Sequence, residues 1–149
     1  MSKGYIVESL LILMGKKPFN EISIKEITAK AGVNRSTYYR NFTSKNEIIK
    51  YYFDNLHKEY YNNMKSDITT EQNLYDLFNF YYKYKDELLL IHKNGLSHLI
   101  LDSLNKLFKL TIKKQTYAEI YKAYFYAGGV FNSLLLWLSN SMNNKSRHI

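Results

Sequence analysis

Apolar residues recur every three to four positions along most of the chain, which is the spacing of one buried helix face. The clearest stripe lies within residues 44–64, where Ile49, Phe53, Leu56 and Tyr60 follow one another at this spacing. No run alternates apolar and polar residues for long enough to indicate a β-strand. The pattern therefore predicts an all-α protein.

The sole proline and the few glycines divide the helical pattern into segments. We expect Gly15 to cap the first helix in the left-handed conformation, with Pro18 preventing its continuation. Residues 65–71 are polar and predict a loop, and residues 141–149 predict a frayed tail. The predicted helices cover residues 3–14, 24–31, 35–41, 44–64, 72–84, 88–92, 96–112 and 117–140.

Residues 23–42 have the pattern of two short helices joined by a tight turn. Ser23 and Glu26 form a capping-box pair at the start of the first helix. Gly32 suits the positive φ of the turn, and Asn34 is a good N-cap for the second helix. In a helix-turn-helix the second helix enters the major groove of DNA. A helical hairpin inside a bundle is the alternative interpretation.

The second of these helices offers side chains that match base edges in the major groove. Arg35 suits a bidentate contact with guanine, and Asn34 and Asn41 suit adenine. Thr37 carries both a hydroxyl and a methyl group, and the methyl suits thymine. This choice of residues favours direct reading of a DNA sequence over the hairpin interpretation.

Other side chains of the same segment suit the phosphate backbone. Tyr39 and Lys45 are predicted phosphate contacts, as is the helix start at Ser23, and Lys25 and Arg40 suit either phosphates or bases. The formal net charge is +8, and residues 1–50 hold nine Lys and Arg against four Asp and Glu. No acid separates Glu26 from Glu47. A basic surface with this motif favours a polyanionic partner.

The same residues resemble the DNA-binding domain of the tetracycline-repressor (TetR) family. The family pattern is an amphipathic first helix, then "I-A-x-x-A-G-V-S", "T-L-Y-x-H-F" and "S-K-x-E-L". The chain is similar to it through about residue 53. The residues that carry the likeness are Ile6 to Met14, Phe19, the run SIKEITAKAGVNRSTYYRNF, Ser44-Lys45 and Glu47-Ile48-Ile49.

The resemblance implies a homodimer that binds a palindromic operator and holds a small-molecule effector in its C-terminal region. Three positions depart from the family pattern: Ser36 replaces a common Gly or Pro, Tyr38 the usual Leu, and Asn41 the usual His. By position, Tyr39 and Lys45 match residues that contact phosphates. The residues that match base-facing positions are Lys25, Arg35, Ser36, Thr37, Arg40 and Asn41.

We therefore predict an N-terminal three-helix DNA-binding region, residues 1–50. A long fourth helix joins it to a helical ligand-binding and dimerisation region, residues 51–149. Tyrosine rings with hydroxyl tips suit an amphipathic ligand pocket. The candidate pocket residues are Tyr52, Tyr60, Tyr81, Tyr82 and Tyr84.

Two adjacent glycines interrupt the apolar last helix, although each costs about 1 kcal/mol relative to alanine. Gly128 and Gly129 indicate the close approach of another helix, either within the chain or across a two-fold axis. We expect the subunit interface for at least part of this helix, since so apolar a segment is hard to bury in a small chain. The other interface candidates are Phe125, Phe131, Leu135, Trp137 and Leu138.

The composition argues against several other classes of protein. The chain has no cysteine, and His57, His92, His98 and His148 lack a metal-ligand spacing. No Gly-rich phosphate loop or nucleophile elbow is present, so we expect neither an enzyme nor a cofactor. No segment is apolar enough for a membrane span, which predicts a cytoplasmic protein.

The predicted function is sequence-specific transcriptional regulation, with repression as the usual family outcome. The alternative is a helical protein-interaction module or co-regulator whose DNA binding is weak or vestigial.

Overall fold

The computed structural model describes residues 1–64 and 67–143. Part of the predicted loop, residues 65–66, and part of the predicted tail, residues 144–149 with His148, lie outside the described residues. Within the described ranges all regular secondary structure is helical, as predicted. The α-helices are α1 (Ser2–Met14), α2 (Ile24–Ala31), α3 (Arg35–Asn41), α4 (Lys45–Asn63), α5 (Glu71–Lys83), α6 (Lys85–Lys93), α7 (Ile100–Leu110) and α8 (Tyr117–Ser139).

The first three helices pack around their own apolar side chains. Ile6 and Leu10 of α1, Ile27 of α2 and Tyr38 of α3 are all fully buried. Phe42, directly after α3, is also buried. Burial of each such side chain contributes about 1.5–3 kcal/mol, so short helices such as α2 and α3 depend on this packing for their stability.

The prediction for Gly15 is wrong. Gly15 has φ −70° and ψ −15°, which is right-handed helical backbone. The amides of Lys16 and Lys17 both donate to the Leu13 carbonyl, so the chain continues as a helical turn up to Pro18. A short 3-10 turn, Phe19–Glu21, then leads into the extended residues before α2. Because the chain does not reverse at Gly15, a left-handed residue is not needed there.

Helix α4 joins the N-terminal helices to the rest of the molecule. It is capped by Ser44, whose hydroxyl accepts a hydrogen bond from the Glu47 amide. Its predicted stripe is confirmed, since residues 48, 49, 52, 53, 56 and 60 are all buried. Helix α4 packs against α1 at one end and α7 further along. The buried side chains form one continuous cluster, and a domain boundary at residue 50 stays a prediction.

The C-terminal helices differ from the sequence prediction mainly at their ends. Helix α6 is longer than predicted, because Tyr84 both ends α5 and precedes α6 without a longer break. The predicted helix over residues 96–112 begins instead with a 3-10 turn, Ser97–Leu99, and its α-helical part is α7. Gly95, with φ +73°, supplies the left-handed residue before this turn. Helices α7 and α8 pack along each other.

Candidate nucleic-acid interface

The start of α2 is held by the predicted capping box. The Glu26 amide donates to Ser23 Oγ at 3.1 Å, and the Ser23 amide donates to Glu26 Oε2 at 2.7 Å. Lys17 Nζ also donates to Glu26 Oε1 at 2.5 Å. The hydrogen bond from Lys17, followed by that from the Ser23 backbone, lowers the pKa of Glu26 to about 2. This capping box therefore includes a charged carboxylate over the whole physiological range.

The turn between α2 and α3 depends on Gly32. Its φ of +71° lies in the left-handed region, where a side chain would be strained. The Gly32 amide donates to the Ala29 carbonyl at 3.3 Å, and the Val33 amide donates to the Thr28 carbonyl at 3.1 Å. These bonds close α2, and Val33 packs against the core. The tight turn predicted from the sequence is confirmed.

Helix α3 is capped by Asn34, as predicted. Asn34 Oδ1 accepts from the Thr37 amide at 2.8 Å and from Ser36 Oγ at 2.7 Å. Asn41 Nδ2 donates to the Thr37 carbonyl at 2.8 Å. Each amide thus uses one of its polar atoms within the helix, whereas bidentate reading of adenine needs both. Asn34 is first of all the residue that begins α3.

The exposed side chains around α3 are mainly basic or hydroxylated. The Arg35 side chain is exposed, and within the described residues it forms neither a hydrogen bond nor an ion pair. Arg40 is held along the helix by a 3.2 Å bond from Nη2 to Thr37 Oγ1. Tyr39 is 53% exposed. Ser23, Lys25 and Ser36 are also exposed. Arg35 is therefore the side chain most available to a base edge.

Lys45 differs from its predicted role as a phosphate contact. Its Nζ donates to the carbonyls of Phe19 and Ile22, at 2.7 and 2.9 Å, and lies 4.4 Å from the centre of the Phe19 ring. Burial lowers the pKa of Lys45. In this structure Lys45 ties the start of α4 to the segment between α1 and α2. Helix propensity and charge gave no indication of this bond, which joins residues more than twenty positions apart.

A cleft beside α3 includes residues that were not predicted from the sequence. It has a volume of about 460 Å³ and lies between the start of α1 and the end of α3. Lys3 lies at its edge, with Nζ 5.0 Å from the centre of the Tyr51 ring. The predicted residues Thr37, Arg40 and Asn41 line the same cleft. The only indication in the sequence is a lysine just before the first apolar stripe.

Tyr38 is the buried residue that fixes α3 against the other helices. Its ring is fully buried, beside Tyr39 and Phe42. Its hydroxyl is also buried and has no hydrogen-bond partner within the described residues. Burial raises the pKa of Tyr38. This unpaired hydroxyl stands where the family pattern has the apolar side chain of leucine.

The five tyrosines proposed as a ligand pocket do not surround one cavity. The Tyr52 hydroxyl donates to Glu87 Oε2 at 2.5 Å, and the Tyr84 hydroxyl donates to Glu59 Oε2 at 2.6 Å. These two tyrosines line a groove between α1, α4 and α6. Tyr60 lies elsewhere, with its hydroxyl donating to the Asn73 carbonyl at 2.9 Å.

The other two pocket candidates contribute to the core. Tyr81 is fully buried, with its hydroxyl 2.6 Å from His57 Nε2, and Tyr82 stacks on Trp137 at a centroid distance of 6.0 Å. Helical spacing placed both on the apolar side of α5, where core and pocket positions have the same pattern. A ligand pocket that includes Tyr81 or Tyr82 is therefore not supported by their positions.

His57 is the centre of a buried polar cluster that was not predicted from the sequence. Its Nδ1 lies 2.7 Å from Ser103 Oγ of α7, and its Nε2 bonds to Tyr81 of α5. Burial lowers the pKa of His57 to about 3. His57 follows Phe53 by four positions and precedes Tyr60 by three, so helical spacing in the sequence predicts its place on the buried face of α4. Its two partners, Ser103 and Tyr81, lie on other helices and could not be predicted from this spacing.

The predicted interface residues of α8 fall into two groups. Trp137 and Leu138 are buried within the chain, which corrects their assignment to a subunit interface. Phe125 is 78% exposed, and Phe131 and Leu135 are half-buried. A Cβ added at Gly128 or Gly129 would meet no atom within 4 Å other than those of its chain neighbours and its own helix backbone. The glycines are therefore not required by packing within the described chain.

No helix in residues 1–64 or 67–143 combines the length and apolarity that crossing a membrane requires. Comparison with curated proteins finds no match for the chain. Residues 6–52 match the family model described as "Bacterial regulatory proteins, tetR family". This match covers most of α1, then α2, the Gly32 turn, α3 and the first part of α4, which is the helix-turn-helix region described above. Residues 6–52 are therefore similar to the DNA-binding domain of this family, and this match supports a DNA-binding transcriptional regulator.

Proposed function

We propose that the protein is a homodimeric repressor that binds a palindromic operator and is released from it by a small-molecule effector. The exposed Arg35 on the capped helix α3 carries this proposal, because its guanidinium is free to donate two hydrogen bonds to guanine. The protein acts on DNA in the cytoplasm, without catalysis or a cofactor. Repression follows from occupying the operator and excluding polymerase.

Each side chain near α3 has a proposed role. Arg35 and Thr37 read base edges, while Lys25 and Arg40 contact bases or phosphates according to the local groove. Ser36 and Asn41 complete the base-facing surface. Asn34 contributes to DNA binding by capping α3. The proposed phosphate contacts are Ser23 at the start of α2, Tyr39, and Lys45 once its bonds to the Phe19 and Ile22 carbonyls open.

The proposed subunit interface is the outer face of α8. Tyr117, Tyr121 and Phe125 are 81%, 71% and 78% exposed there, and Leu136 is 64% exposed. Apolar residues so exposed on one helix favour burial against another subunit. A second α8, related by a two-fold axis, would approach closely at Gly128 and Gly129, with Phe131 and Leu135 at the edge. A symmetric dimer of this kind matches a palindromic site.

Gly128→Leu tests this interface without disturbing the subunit. A Cβ at this position meets nothing within 4 Å beyond its own helix backbone and chain neighbours, and replacing glycine raises helix stability by roughly 1 kcal/mol. We expect a more stable subunit and a weaker dimer by sedimentation equilibrium. Leu110→Lys, at an exposed position at the end of α7, is the control. A Gly128→Leu protein that dimerises as well as the unchanged chain would rule out this close approach.

Binding to DNA upstream of the coding region tests the operator. We expect saturable binding to a short palindrome, tighter than to random DNA by about 10³ or more. Arg35→Ala should reduce specific affinity by roughly tenfold to a hundredfold, because one bidentate base contact is worth about 1–3 kcal/mol. Lys58→Ala, which removes an exposed charge from α4 away from α3, is the control.

Equal weak binding to all DNA, unaffected by Arg35→Ala, would count against a specific site upstream of the gene. Selection from a random DNA pool then decides the wider question. If a palindrome is selected, the operator lies somewhere other than upstream of the gene. A pool without any preferred sequence would favour the interaction-module alternative, in which the helical C-terminal region acts through a protein partner.

A further inference from the structure

A groove of about 640 Å³ lies where the DNA-binding helices meet the C-terminal region. Its walls come from α1, α4 and α6. Its volume lies within the range of small-molecule sites, about 300–1,000 Å³. Because α1 belongs to the DNA-binding domain and α6 does not, any ligand that fills this groove contacts both parts of the protein.

The charge of the groove is opposite to that of the whole chain. Four carboxylates line it, from Glu8, Glu59, Asp86 and Glu87, and none of its lining residues is Lys, Arg or His. The nearby Lys85 lies over the Tyr82 ring instead. In the described part of the chain the two ion pairs are elsewhere, at Glu26 and Asp54. The groove thus holds uncompensated negative charge in a protein of net charge +8.

The rest of the lining is apolar and aromatic. Leu11, Leu56 and Leu90 contribute aliphatic surface from three different helices. The Tyr52 and Tyr84 rings stand beside the carboxylates, and their hydroxyls donate to Glu87 and Glu59. These bonds orient the carboxylates without neutralising them. A tyrosine ring next to a carboxylate attracts a cation through both its face and the charge behind it.

We propose that this groove binds an amphipathic organic cation, which is a molecule with one positive charge and a large apolar or aromatic surface. The carboxylates at Glu59 and Glu87 contact the charge, and the leucine side chains contact the apolar body. An anion of the same shape is repelled by the same residues. Charge complementarity, more than volume, therefore selects the ligand.

The position of the groove also gives the ligand a route to the DNA-binding helices. Asn94, directly after α6, accepts a hydrogen bond at Oδ1 from the Phe19 amide at 3.0 Å, which links α6 to the segment between α1 and α2. A cation between α1 and α6 changes the separation of these helices. This part of the inference rests on the proposed function, because it couples the groove to operator binding.

Titration calorimetry of the full chain with two isosteric ions tests the binding. Tetraphenylphosphonium is the cation, and tetraphenylborate is an anion of nearly the same shape. We expect the cation to bind at least about tenfold more tightly than the anion. The net positive charge of the chain by itself would favour the anion, so this result would point to the groove. Equal affinity, or tighter binding of tetraphenylborate, would overturn the proposal. This comparison uses the unaltered chain.

Carboxylate variants locate the site. Glu59→Gln combined with Glu87→Gln should weaken phosphonium binding by about tenfold. The control has the same change of charge outside the groove, with Glu71→Gln and Asp102→Asn, and should bind as the unchanged chain does. An equal loss of phosphonium affinity in both variants would mean that the overall charge of the protein sets the affinity, and it would overturn the proposed site. If the groove variant fails to unfold cooperatively on heating, the comparison of the two ions decides.

Operator binding in the presence of the cation separates the two proposals. Saturating tetraphenylphosphonium should lower operator affinity by about tenfold, which lies within the usual range of allosteric coupling. Cation binding without an effect on operator affinity would overturn the coupling but would still support the binding site. Specific DNA binding without cation binding would overturn the site alone. Cation binding by a protein without any preferred DNA sequence would overturn the proposed function alone.

Discussion

The exposed helix caps of the N-terminal region and the buried polar side chains of the C-terminal region satisfy their polar groups in different ways. In the helix-turn-helix most polar bonds are local, as in Ser23 with Glu26 and Asn34 with Thr37, three positions apart. In the C-terminal region His57 bonds to Ser103 and Tyr52 to Glu87, across 46 and 35 positions. Local bonds leave a pattern in the sequence, and distant bonds do not. The family match ends at residue 52, within α4.

The largest expected effect is a loss of stability in acid caused by His57. Its pKa is about 3 in the folded protein and about 6.5 when unfolded, so at intermediate pH only the unfolded state binds the proton. The stability that His57 contributes is therefore full above pH ~6.5 and falls as the pH drops towards 3, by on the order of 5 kcal/mol. Urea unfolding at neutral pH and near pH ~5 measures the first part of this loss.

His57→Gln separates this effect from other titrations. The variant should be less stable at neutral pH but should lose less stability between pH ~7 and ~5. His98→Gln, at an exposed position, should keep the full acid loss. The low pKa of Glu26 acts in a different window, because its contribution is present above pH ~4.5 and is lost as the pH falls towards 2. An unchanged pH slope in His57→Gln would contradict the assignment.

The next effect compares a distant bond with a local one. Tyr81→Phe removes the buried hydroxyl from His57 Nε2 and should cost about 1–3 kcal/mol, because a ring nitrogen loses its partner. Tyr75→Phe removes an exposed bond to Glu71, four positions away, and should cost less than about 0.5 kcal/mol. Denaturant unfolding of both variants measures the difference. Similar costs would break the contrast between distant buried bonds and local exposed ones.

The capping box predicts a smaller effect in the N-terminal region. Ser23→Ala removes the acceptor for the Glu26 amide and should cost about 1 kcal/mol of unfolding free energy. Thr43→Ala, at an exposed position just before the Ser44 cap of α4, is the matched control and should change little. A Ser23→Ala protein as stable as this control would mean that Lys17 and packing hold α2 without the cap.

The smallest expected effect is a gain. Tyr38→Phe removes the buried hydroxyl that has no partner in the described chain and keeps the aromatic ring. We expect thermal unfolding to show a stabilisation of about 0.5–1 kcal/mol. Tyr39→Phe, at the exposed neighbour, should leave stability unchanged. A destabilised Tyr38→Phe protein would indicate that the hydroxyl is satisfied in solution, for example by an ordered water.

The sequence alone determined the helix-turn-helix and the all-helical fold class. Ser23, Gly32 and Asn34 act on their own neighbours, so the cap, the turn and the second cap were readable from residue type and spacing. The buried stripe of α4 was readable for the same reason, because helical periodicity is a local property. Gly15 shows that local patterns can also mislead. It was predicted to end α1 in the left-handed conformation, but the chain continues after it as a helical turn.

Only the tertiary structure decided what the buried and half-buried polar residues do. Tyr81 and Tyr52 follow the same helical spacing, yet one bonds to His57 in the core and the other lines an acidic groove. Lys45, predicted to contact phosphate, donates to the Phe19 and Ile22 carbonyls. The partners of these groups lie on other helices or in the segment between α1 and α2. Periodicity specifies which face of a helix is buried, whereas the packing of helices distant in the chain determines what that face meets.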